Sequence, residues 1–107
     1  AGLAQCMVLQ SAEEKGKVVW KPQFLKIPYD NQKVAEDMKS GGLLDYAPWF
    51  TNSNLYNILT GTDHSAQMAA LAGKLAAEEN PQAKWPLIEE KYFELAAEYY
   101  GIPDYRK

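Results

Sequence analysis

The chain has 107 residues, a net charge of −3 and 47% apolar residues, a composition typical of an ordinary globular domain. It holds one histidine, one cysteine and one arginine, so one copy can build neither a His/Cys metal cluster nor an arginine clamp for phosphate. The acidic balance disfavours general binding to nucleic acid or anionic membranes, and no apolar stretch approaches the about 20 residues of a membrane span. We expect one domain over residues 1–107, cytoplasmic, without cofactor or metal.

The first 21 residues are compatible with two structures. One is a helix over residues 2–15 that ends at Gly16. It gives the preferred fold class, which is mainly α: a small irregular helical domain. The other is a β-hairpin over about residues 6–21 that turns in the Glu-Glu-Lys-Gly segment, because the Val-Val-Trp run that follows favours strand. With that hairpin the fold class would be α+β.

Two aromatic segments, 20–29 and 46–50, are expected to wrap over the helices. The first contains two prolines and should run extended, since proline disfavours helix in the residue before it. Cys6 lies in an apolar run, which predicts a buried structural thiol with no catalytic role.

The middle of the chain is predicted to contain short helices. Asp30 or Asn31 can cap a helix that runs to about Lys39 and stops at a Gly-Gly pair. Residues 43–62 are expected to be irregular, apart from a two-turn helix over Asn54–Thr60 that a glycine closes.

Two C-terminal helices, about 64–79 and 87–100, are predicted to frame the fold. The first has apolar residues three and four positions apart, as one helical face requires. These residues are Met68, Leu71, Ala72 and Leu75. A second face of the same helix carries Ala69, Gly73 and Ala77, and it predicts close approach of another backbone.

The second of these helices has a wider apolar arc than one packing neighbour can cover. The arc contains Ile88, Tyr92, Phe93, Leu95, Ala96, Tyr99 and Tyr100. Either it packs between two elements of the chain, or part of it docks on a partner. For a partner we expect Phe93 or Tyr100 as the anchor. Glu90, Glu94 and Glu98 lie four residues apart and would form either a solvated acidic face or the rim of that interface.

Four lysines are interleaved with aromatic residues near the N-terminus, in the stretch Lys15–Lys26 that contains Trp20, Lys21 and Phe24. Cations contact phosphate and aromatic rings stack on bases, so a small nucleic-acid or anionic-ligand binding domain is one alternative function. Four lysines without arginine are few for that purpose. We therefore expect Trp20 and Lys21 to contact protein.

Asp63, His64 and Ser65 include the residue types of a hydrolase triad but are adjacent in sequence. Adjacent side chains point apart, whereas a triad is a hydrogen-bonded chain of three groups, so we interpret them as helix-start residues. We expect no catalytic residue and no enzyme. The expected function is a non-catalytic protein–protein interaction module, an adaptor or accessory subunit that binds another protein or a second copy. A further alternative is an enzyme whose site, including His64, is completed by oligomerisation.

Overall fold

The computed structural model describes all 107 residues and consists of an N-terminal β-hairpin followed by five helices. The strands are β1 (Leu3–Glu14) and β2 (Lys17–Pro28). The helices are α1 (Asn31–Ser40), α2 (Leu43–Tyr46), α3 (Pro48–Thr60), α4 (Ser65–Glu79) and α5 (Glu90–Tyr100). The fold is therefore α+β, as in the alternative prediction. The preferred mainly α class, with a helix over residues 2–15, is wrong.

The hairpin turns at Lys15 and Gly16, whose φ angles are both positive, at 52° and 75°. A two-residue type I′ turn requires this geometry and matches the twist of the strands that it joins. The register then continues without interruption from Glu14 opposite Lys17 to Leu3 opposite Pro28. The hairpin is thus longer at both strands than the predicted 6–21. The predicted helix over residues 2–15 does not form, because residues 17–28 are rich in strand-forming residues and prolines. They form a strand, and residues 3–14 pair with it.

The hairpin projects away from the helices, and residues 3–28 are called the arm below. No Cα atom of either strand lies within 8 Å of a helix Cα atom. Twelve extended residues span about 40 Å, a large part of the longest molecular dimension of 61 Å. The segment 20–29 is therefore extended, as predicted, but it does not wrap over the C-terminal helices. Cys6 is exposed rather than buried, because nothing covers the arm.

Residues 30–107, called the body below, contain two apolar clusters that α3 connects. The larger cluster joins α4 and α5 through Met68, Ala72, Tyr92 and Ala96, with Trp49 added from α3. The smaller cluster joins the first three helices and consists of Ala35, Leu44 and Leu55. The apolar face predicted for α4 packs in or against the larger cluster. The apolar arc predicted for α5 does so only in part, since Leu95 and Tyr99 remain exposed.

The middle of the chain is more helical than predicted. α3 begins at Pro48, six residues before the expected start at Asn54, because proline fits the first turn of a helix, where its missing N–H is not needed. Its end at Gly61 agrees with the sequence. Asp30 caps α1 as expected, and its carboxylate accepts a hydrogen bond from the backbone N–H of Lys33.

The two C-terminal helices are confirmed, with two corrections. α5 begins at Glu90, three residues after the expected start. The preceding segment is a tight turn, in which Leu87 N–H donates to the Lys84 carbonyl at 2.8 Å. A Cβ added to Gly73 would have no atom within 4 Å, so the small-residue face of α4 meets no other backbone in this chain. No helix is both long and apolar enough to cross a bilayer.

Candidate protein interaction surfaces

One face of the arm is apolar and open to solvent. Because successive strand residues point to opposite faces, the register places one set of large side chains together: Leu3, Met7, Leu9, Val18, Trp20 and Phe24. This set is called the arm face. Phe24 is 78% exposed and Trp20 is 64% exposed. Large aromatic rings at such exposure are typical of surfaces that another molecule covers.

The two edges of the arm differ in their capacity for further strand pairing. Tyr29 N–H donates to the Gly2 carbonyl at 2.9 Å, which fixes the alternation of hydrogen-bonded pairs along the ladder. Pro22 and Pro28 then fall at positions whose nitrogen faces outward, where proline has no N–H to donate. The outer edge of β2 is therefore blocked at two points. β1 contains no proline, so its outer edge keeps every donor and acceptor.

The body carries an apolar groove of about 500 Å³ at the N-terminal end of α3. Its walls come from α3, the start of α4, the 85–88 turn and α5. The main lining side chains are Trp49, Phe50, Met68, Trp85, Ile88 and Phe93. Phe50 and Trp85 are each 69% exposed, so two large rings stand at the mouth of the groove.

Glu90 is the one charged residue that lines the groove. Its carboxylate lies 3.9 Å from Arg106, whose guanidinium is in turn held by Asp104 at 2.8 Å. Hydrogen bonds from Arg106 lower the pKa of the Asp104 carboxyl well below its usual range. Glu94 and Glu98, on the exposed side of α5, form no ion pair. Arg106 is thus shared by the carboxylates of Asp104 and Glu90, which together leave one net negative charge beside the groove.

The predicted partner-binding residues are divided among several places in the structure. Phe93 and Glu90 both line the groove, and the Phe93 ring meets Trp85 edge-on at 6.3 Å. Tyr100 is not in the groove, since it stacks on His64 at 5.4 Å. Trp20 lies on the arm face, and Lys21 points to the other face and pairs with Glu14 at 2.8 Å.

Sequence reasoning missed the groove itself. Tyr46 and Phe50 come from a segment that is expected from the sequence to be irregular, and Trp85 is not among the predicted site residues. A cluster of three aromatic residues around Pro48 was visible in the sequence, but only the packing of α3 against α4 and α5 turns it into a groove wall.

His64 lies between two aromatic rings at the start of α4. Its ring is 6.1 Å from that of Tyr56 and 5.4 Å from that of Tyr100, and its Nδ1 is buried without a hydrogen-bond partner. Asp63 instead accepts from the Ser65 backbone N–H at 2.9 Å. That hydrogen bond is the main cause of a lowered pKa at Asp63. The three residues therefore form no triad. His64 is the N-cap residue of α4, and the Asp63 carboxylate binds the backbone N–H of Ser65, the first helical residue.

The chain offers no group of three histidine, cysteine or carboxylate side chains placed to hold a metal ion. Comparison with protein-family models, curated protein sequences and solved structures finds no match. The chemistry of the two surfaces is therefore the basis for a functional proposal.

Proposed function

We propose that this chain is a non-catalytic protein–protein interaction subunit that uses its arm, and with it the apolar groove, to bind another protein chain. The observation that carries the proposal is the arm face, where Trp20 and Phe24 stand exposed on a hairpin with no Cα atom within 8 Å of a helix Cα atom. A two-stranded hairpin alone is only marginally stable in water, so a partner that covers this face would stabilise the arm as well as bind it.

The groove supports the same conclusion from the other end of the molecule. Interface cores are enriched in aromatic residues and methionine and are bordered by polar residues. The groove has Trp49, Phe50, Met68 and Phe93 in its lining, with Glu90 at its border. This composition fits a protein partner. His64 stacks between two tyrosine rings, and its buried Nδ1 has no carboxylate or hydroxyl partner of the kind that a general base needs.

The distribution of lysines favours protein over nucleic acid as the ligand of the arm. Lys17 and Lys21 point to the face opposite Trp20 and Phe24, while Lys26 shares their face. Lys21 is also engaged with Glu14. A single-strand binding surface needs cations that track the phosphates beside the stacked bases, and here the cations and rings are divided between two faces.

Site-specific photocrosslinking in the cells that make this protein tests the proposal. A benzophenone amino acid at position 24 should give a discrete protein adduct, because the ring of Phe24 would lie in an interface. The matched control is the same substitution at Leu43, an exposed apolar residue of α2 away from both surfaces. Adducts absent at position 24, or identical at both positions, would contradict the proposal.

A further inference from the structure

The exposed surface is larger than that of a compact monomer of the same mass. The accessible surface is 7825 Å², whereas a compact monomer of this mass has about 6,000 Å². The radius of gyration is 19.2 Å, against about 13 Å for a compact chain of this length. The excess area, roughly 1,800 Å² per chain, is of the size that stable protein–protein interfaces bury.

The charges of the arm and the body are complementary. Residues 1–29 hold four lysines and two glutamates, a net charge of +2, and the remaining 78 residues hold seven bases and twelve acids, a net charge of −5. On the arm face the charged residues are Lys26, beside Phe24, and Glu13, near the turn. In the groove Glu90 stands beside Phe93 and shares Arg106 with Asp104. An arm seated in a groove with Lys26 next to Glu90 would therefore pair opposite charges beside an apolar centre.

The arm does not occupy the groove of its own chain. The base of the arm, at Gly2 and Tyr29, lies beside Ile58 and Gly61 at the C-terminal end of α3. The groove begins at Pro48, at the opposite end of that helix, and 13 residues of helix separate the two ends by about 20 Å. No Cα atom of the arm lies within 8 Å of a helix Cα atom. Any arm that occupies the groove belongs to another molecule.

We infer that the occupant is a second copy of this chain: the arm of one copy docks, through its apolar face, in the groove of the next. This inference rests on the proposed function and names its partner. The two surfaces lie at different places on the molecule, so the contact is heterologous, and repetition gives a closed ring or an open chain of copies.

Two double variants separate the two halves of the contact. The arm variant is Trp20→Ser with Phe24→Ser, and the groove variant is Phe50→Lys with Trp85→Lys. All four side chains are mostly exposed, so both variants should fold, and circular dichroism checks this. The matched controls are Val8→Ser with Ile27→Ser, on the other face of the arm, and Leu43→Lys on the body.

Sedimentation velocity of the purified proteins gives the decisive result. The natural chain and the controls should form species of at least two chains as concentration rises, and each double variant alone should stay monomeric. An equimolar mixture of the two variants should restore a species of two chains. It contains one intact arm and one intact groove, and it cannot grow further because the other arm and groove are both defective.

Several outcomes would overturn the inference. If the groove variant alone still dimerises, the arms pair with each other, for example along the unblocked edge of β1. If the mixture stays monomeric, arm and groove are not partners. If the natural chain is monomeric while position 24 still crosslinks to another protein in cells, the proposed function stands and the second copy is the wrong occupant. If both measurements are negative, both proposals fail.

Lys26→Glu is a single variant that tests the charge pairing. It should weaken association several-fold at low salt, and the difference should narrow as salt screens the charges. An unchanged association constant at low salt would show that Lys26 does not face Glu90 of the groove.

Discussion

The arm and the body of this chain contain similar proportions of large apolar residues but use them differently. In the body, helices from distant parts of the chain cover one another, and Leu55, Ala72 and Ala96 are completely buried. In the arm, every large side chain keeps a considerable exposed surface, because a two-stranded ribbon has no second layer. Apolar residues in the body therefore stabilise the fold, whereas those of the arm stay exposed to solvent.

Because buried apolar area is the main source of folding free energy, the stability of the monomer should respond differently to the same kind of substitution in the two regions. Truncation of a body residue should lower the stability of the monomer. Truncation of an arm residue should leave the monomer unchanged and affect only contacts between molecules. Each prediction below tests one consequence of that difference.

The largest effect is expected at Leu55, which is fully buried in the smaller cluster. Leu55→Ala should lower the free energy of unfolding by about 2–5 kcal/mol, because it removes buried methyl groups and leaves a cavity. The matched control is Leu9→Ala on the arm face, expected within about 0.5 kcal/mol of the natural chain. Urea unfolding of both variants under dilute conditions measures the difference. Equal losses at the two positions would refute the division between arm and body.

The second prediction concerns Asn52, a fully buried polar residue of α3. Its Nδ2 donates to Asp104 at 3.1 Å, and its Oδ1 accepts from the Tyr105 N–H at 2.9 Å, so it ties the C-terminal segment to α3. Asn52→Ala should cost about 1–3 kcal/mol, since it leaves a backbone N–H without a partner. Asn54→Ala removes a solvent-exposed hydrogen bond of the same helix and serves as the control. A loss no greater than that of the control would show that the segment is held by packing alone.

The success of the predictions from sequence also differs between the body and the arm. α1, α4 and α5 were predicted within a few residues, because spacing, capping residues and terminal glycines are local signals. The hairpin was only the second choice, since pairing of residues 3 and 28 depends on a partner strand and not on either strand's own pattern. The sequence could not predict that the arm stays clear of the helices or that Cys6 is exposed. Both features depend on which elements cover the strands, and a local pattern carries no information about that.

The candidate sites show the same limit. Trp20 was singled out because lysines are interleaved with aromatic residues around it, and Phe93 because the apolar arc of its helix is wider than one neighbour can cover. Trp20 is exposed on the arm, and Phe93 lines the groove. The groove could not be anticipated, because its walls come from three separate segments of the body. Its existence depends on tertiary packing around Trp49.

A third prediction tests whether the arm folds independently of the body. Gly16 has a φ angle of 75°, and a Cβ there would meet no other atom within 4 Å. Gly16→Val therefore adds backbone strain without a clash and should destabilise the turn by about 1–2 kcal/mol. Amide hydrogen exchange should accelerate in the arm, with body protection and thermal melting unchanged. Gly16→Asn, which tolerates positive φ, is the control. Loss of protection in the body would mean that the two regions fold as one unit.

The smallest effect is expected from a comparison of two ion pairs, one formed by Asp104 and the other by Glu14. The Asp104 side chain is 11% exposed and bound to Arg106, whereas Glu14 is 55% exposed in its pair with Lys21. Exposed pairs contribute little, so Glu14→Gln should leave the unfolding free energy unchanged at every pH. Asp104 differs, because its pKa is depressed in the folded chain relative to the unfolded value of about 3.9.

A depressed carboxyl pKa fixes the direction of the pH effect at Asp104. The stabilisation is fully present above the unfolded pKa and disappears as the pH falls through the folded pKa, since protonation then removes the charge that Arg106 binds. Asp104→Asn should therefore be less stable than the natural chain at neutral pH, and the gap should narrow progressively below about pH 4. Urea unfolding of the two chains across that range measures the gap. A gap of constant size would mean that the Asp104 contribution comes from its hydrogen bonds and not from its charge.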